Sequence, residues 1–137
     1  MITTKGVYHI GIPVNDVERA VKFYTEILGM TIAKLNRDDM GDHLNRADLR
    51  SGDSMVVLFQ RPKALEKDAV KRTAQPIKLS WSRRRISSSR QRKMKDWGVK
   101  VYDIPTVERP TGRGFYFFDP DGNLLQLYAP PKTQPVS

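Results

Sequence analysis

Two polar residues set inside apolar, strand-like runs are where this chain could do chemistry: His9 in VYHIGIPV and Gln126 in NLLQLY. A neutral imidazole is a common metal ligand and a base near neutral pH. A glutamine amide oxygen is a weaker ligand than a carboxylate and cannot take up a proton. The other histidine, His43, lies in a polar loop and reads as a surface residue. There is no cysteine, which excludes thiolate metal sites, a cysteine nucleophile and disulfides, and an intracellular setting is the expectation.

The elements that must hold these residues follow from periodicity. Residues 7–14, VYHIGIPV, read as a strand, and Asn15 or Asp16 can cap a helix behind it. Val17, Ala20, Val21, Tyr24, Ile27 and Leu28 recur at helical spacing until Gly29 stops the run. MTIAKL (30–35), a stretch around 44–49 and MVVLFQ (55–60) read as three further strands, the last two joined by Ser51-Gly52-Asp53. The first half is therefore β-α-β-β-β. In the second half KMKDWGVKVYDI reads as a helix end at Trp97-Gly98 followed by a strand. TGRGFYFFDPDGNLLQLYAP then reads as two strands about an Asp-Pro-Asp-Gly turn. The second half repeats the first apart from its opening strand and helix.

HIGIPVNDVERAVKFYTEILGM (9–30) and GRGFYFFDPDGNLLQLYAP (112–130) together resemble the vicinal oxygen chelate superfamily, which includes glyoxalase I, extradiol dioxygenases, and fosfomycin- and bleomycin-resistance proteins. The resemblance covers 6–60 and 94–130. It implies an α+β fold of two βαβββ modules, at 1–62 and 76–131, with a linker at 63–75 and a tail at 132–137. Their mostly antiparallel sheet would cup a divalent metal and a small-molecule ligand. His9 matches the family's first metal ligand and Gln126 the position of its last-strand glutamate, while the second family histidine falls near Ile77, where there is none. The resemblance assigns Tyr116, Tyr128 and Leu58 to the substrate cup, and it calls for a carboxylate near Leu58 in glyoxalase I, so that activity is disfavoured. Tyr116 among three phenylalanines also fits a plain core residue. The lysine and serine of the fosfomycin branch are replaced by Thr106 and Pro110. Two functions stay open: a metal-dependent lyase or dioxygenase, or a metal-free protein that sequesters its ligand. The family also implies a cytoplasmic homodimer.

The net charge of +9 would ordinarily suggest nucleic acid as a partner. Six of the nine charges, however, lie between Lys78 and Arg92 with no acid among them, so the basicity is local and nucleic acid is not the expected partner. IKLSWSRRRISSSRQR (77–92) stands where the resemblance requires an apolar strand and an acidic amphipathic helix, and burying those charges would be costly. Read one base out of frame, the same codons can encode roughly His-x-x-Phe-Val-Val-Ala-Ala-Glu-Asp-Phe-Glu, a strand followed by a capped helix. The competing reading is a basic surface arm able to contact phosphates. No apolar run is long enough to span a bilayer, and the N-terminus lacks the features of a signal peptide.

Overall fold

The computed structural model describes residues 3, 7–63, 77–80, 88–99, 101–102 and 113–129; the predicted linker from residue 64 onward and the predicted tail lie outside them. The chain divides into two compact units, Met1–Leu65 and Glu66–Ser137. The first contains β1 (His9–Val14), α1 (Val17–Glu26), β2 (Thr31–Arg37), β3 (Leu44–Ser51) and β4 (Ser54–Gln60). The second contains β5 (Ile77–Ser80), α2 (Ser88–Asp96), β6 (Val101–Tyr102), β7 (Arg113–Phe118) and β8 (Leu124–Ala129). Each unit forms a four-stranded sheet, ordered β1-β4-β3-β2 in one and β5-β8-β7-β6 in the other. In both, the opening strand pairs in parallel with the closing strand and the remaining pairs are antiparallel. The halves thus share one topology, including the strand and helix that the second half's sequence did not announce.

Local chemistry accounts for α1. The Asp16 carboxylate accepts the Arg19 amide at 2.9 Å, satisfying one of the helix's unpaired N–H groups, so Asp16 and not Asn15 is the cap. Val17, Ala20, Val21, Phe23 and Tyr24 are buried along the helix, while Leu28 is only half-buried. Gly29, at φ 71°, ends it in a conformation that a side chain would disfavour. Replacing Asp16 by alanine should lower stability by about 1 kcal/mol, read from the denaturation midpoint, with little change in the denaturant slope.

Helix α1 lies against β3 and β4. Strand alternation sends Ile12 and Val14 of β1, Ala47 and Leu49 of β3, and Val56 and Leu58 of β4 to one face of the sheet, where all are at most 2% exposed. This is the core of the first unit. In the second unit Phe117 and Leu125 are cross-strand partners and fully buried. The loop between β7 and β8 is held from within. The Asp119 carboxylate accepts the amides of Asp121 at 2.9 Å and Asn123 at 2.8 Å, and the Asn123 side-chain amide at 2.8 Å. Asp119 and Asn123 also bond through their backbones, and Gly122 at φ 82° closes the turn.

Candidate functional site

The face of each sheet opposite its core carries the chemistry. In the first unit this face is a small lattice of three rows across the strands. His9, Met55, Arg50 and Thr31 form one row, Gly11, Val57, Asp48 and Lys34 the next, and Pro13, Phe59, Arg46 and Asn36 the third. His9 opens β1, is exposed, and meets the Tyr8 ring edge-on at 5.7 Å between centroids. The ring of Phe59 lies across Gly11 so closely that a Cβ there would sit 3.0 Å from its Cε1 atom. A glycine in this strand is thus what lets an aromatic ring, 40% exposed, form part of the floor.

Charge on this face is predominantly positive. Arg46 Nε donates to Asp48 Oδ1 at 2.8 Å and its Nη2 donates to Oδ2 at 3.4 Å, a forked pair that engages the only acid of the lattice. The hydrogen bond from Arg46 to Asp48, and then the attraction between the two charges, raises the guanidinium pKa above its ordinary value. Arg50 and Lys34 flank the pair at neighbouring register positions and are exposed.

In the second unit Gln126 and Tyr116 are directly opposite each other on β8 and β7, and Tyr128 lies two residues further along β8 on the same face. All three are half-buried, and the backbone of Lys78 is the register partner of Gln126 across the β5–β8 pair. The structure therefore brings together three of the predicted site residues, Gln126, Tyr116 and Tyr128. His9 stands on the first unit's open face.

Leu58 is a correction. It is fully buried and projects to the core face with Ile12 and Ala47, its register partners, so alternation turns it away from His9. The positions of β4 that share His9's face are Met55, Val57 and Phe59, none of them a carboxylate. The sequence reading missed Phe59, Arg46, Asp48 and Arg50. The alternation of LNRADLRS, with charges on every second residue, was the available signal. His43 is exposed in the loop between β2 and β3, where its carbonyl accepts the Asp38 amide at 2.8 Å. Among the described residues no three of His, Cys, Asp and Glu converge as a metal-binding group.

Two topologically identical βαβββ modules, each with a core face and a polar open face, define a vicinal oxygen chelate fold. The chain belongs to the Glyoxalase/Bleomycin resistance protein/Dioxygenase superfamily, whose model matches residues 6–127. It is 30% identical over 127 residues to the uncharacterized protein YwkD of Bacillus subtilis (strain 168), covering 90% of this chain and 96% of that one. Among solved structures it resembles a glutamate-to-glutamine mutant of the fosfomycin resistance protein FosX of Listeria monocytogenes, complexed with Mn(II) and 1S,2S-dihydroxypropylphosphonic acid. The TM-score is 0.70 at 21% identity, over 95% of this chain and 96% of that one. FosX of Mesorhizobium loti matches with a TM-score of 0.67 at 18% identity, over 96% of both chains. At these identities the structural likeness establishes the fold.

Proposed function

We propose that this chain binds a small, oxygen-rich molecule on the open faces of its sheets, with His9 on the first unit's face and Gln126 on the second's each offering a donor to a divalent metal. The observation that carries the reading is the placement of Gln126 beside Tyr116 and Tyr128 on one half-buried polar face, in a family whose FosX members are seen with Mn(II). Each face is thin in donors, an imidazole on one and an amide on the other, where catalytic metals commonly have three protein ligands. A divalent ion held there would act as a Lewis acid toward adjacent ligand oxygens.

What the chain's own residues can do is narrower. Gln126 can orient a ligand through its amide but cannot move a proton, Asp48 is engaged by Arg46, and His9 as a ligand would no longer be a free base. Arg50 and Lys34 favour an anionic or strongly electronegative group on the first unit's face. The chemistry that fits is capture and polarisation of an oxygen-bearing ligand, and proton abstraction of the glyoxalase I kind is disfavoured. The proposal includes a homodimer, which sedimentation at micromolar concentration would register.

Metal content of protein purified without a chelating tag, together with Mn(II) titration, tests this. Mn(II) should raise the melting temperature of the parent chain, His9→Ala should diminish that rise, and Gln126→Glu should tighten Mn(II) binding by roughly tenfold or more, since a carboxylate is the harder donor. No response to Mn(II) in either the parent or Gln126→Glu would overturn the metal reading. The amide at 126 specifically favours a second reading, metal-free sequestration, in which Tyr116 and Tyr128 supply stacking and hydrogen bonds.

A further inference from the structure

We infer that residues 77–92 are translated in a frame displaced by one base from the one that suits this fold. The warrant is internal to the chain. Both modules have the same sheet order and connections, so β5 and α2 occupy the places of β1 and α1. In the first module that place is filled by a strand with Ile12 and Val14 at 0% exposure and a helix with five buried residues behind an aspartate cap. In α2, among the residues whose side chains are described, Met94 is buried while Arg92, Lys93, Lys95 and Asp96 are exposed, and the first turn holds no acid. Tertiary topology and local chemistry conflict here, whereas natural sequences are consistent across these levels.

The genetic code shows what a one-base displacement does. Joining the last base of each codon to the first two of the next, Leu79-Ser80 can encode Phe, Ser80-Trp81 can encode only Leu, Met or Val, and Trp81-Ser82 only Val or Glu. The arginines can give Ala, Ala and Glu; Arg85-Ile86 can give Asp, Ile86-Ser87 Phe, and the following junction Glu. An apolar strand thus emerges, followed by Asp-Phe-Glu, which matches the Asp16-Val17-Glu18 that opens α1. The arginines of the segment can all be lost in that frame, while Ile77-Lys78 gives Lys or Gln wherever it is not a stop. The Pro76-Ile77 junction encodes only His, Asn, Asp or Tyr, each bearing a donor atom, at the start of the strand paired with that of Gln126.

Two measurements decide it, and neither involves metal, so they stand apart from the proposed function. Reading the coding DNA across these codons fixes the third bases. The displaced frame should be free of stop codons, apolar from the Leu79-Ser80 junction through Trp81-Ser82, and Asp-apolar-Glu at the helix start. A stop, which Ile77-Lys78 would give if the isoleucine codon ends in T, or charged residues across those junctions, overturns the inference. The full chain carrying the displaced-frame residues should then melt roughly 10 °C above the chain as written. An unchanged or lower midpoint also overturns it.

Discussion

Replacing Asp119 by alanine should destabilise the second unit by about 3 kcal/mol, one of the two largest effects expected of any single substitution described here. The carboxylate is 4% exposed and accepts three hydrogen bonds, two from the backbone amides of Asp121 and Asn123 and one from the Asn123 side chain. Alanine would leave those donors facing a space that water does not freely enter, and such orphaned donors cost more than the net worth of the bonds themselves. Asp119→Asn keeps one acceptor oxygen but turns an N–H₂ group toward another donor, so it should recover only part of the loss. Chemical denaturation reads both variants, and hydrogen exchange at Phe118 and Leu124, the pair nearest the turn, should accelerate more than exchange in β1–β4. An alanine variant within about 0.5 kcal/mol of the parent would show that the turn is held by its backbone alone.

Leu58→Ala should cost a comparable amount, about 3 kcal/mol, and leave ligand or metal binding unchanged in the fraction that remains folded. Leu58 is fully buried between Ile12 and Ala47, so truncation removes transfer free energy and leaves a void that a close-packed sheet–helix core closes only partly. Phe59→Ala provides the contrast. Its ring is 40% exposed over Gly11, so it should cost less stability while altering the open face directly. A Leu58 variant of near-normal stability and weakened Mn(II) or ligand binding would return that residue to the site.

The mistake over Leu58 shows what was legible in the sequence. Strand positions were readable because β-branched runs ended at turn residues, and MVVLFQ became β4 with a boundary shifted by one. Its register was not readable: in a run apolar at Met55, Val56, Val57, Leu58 and Phe59, nothing in the pattern says which parity faces the helix. Only pairing with β1 and β3 decides that. LNRADLRS was more informative, since its buried Ala47 and Leu49 alternate with the charged Arg46, Asp48 and Arg50. His9, Gln126 and the tyrosines were visible because polar or aromatic groups in short strands stand out. The seat of Phe59 on Gly11 depends on a contact between strands far apart in sequence, which no local pattern records.

The parallel pairing of β1 with β4 also sets the order in which the molecule can be made. His9–Val14 has no sheet partner until Ser54–Gln60 has left the ribosome, so the first module cannot close piecemeal and completes in one late step. Every strand of that module precedes residues 77–92 in the chain, so its closure draws on none of their side chains. A fault in that later segment therefore leaves the pairing of the first sheet untouched, and its cost falls on the second half, where β5 waits for β8 as its parallel neighbour.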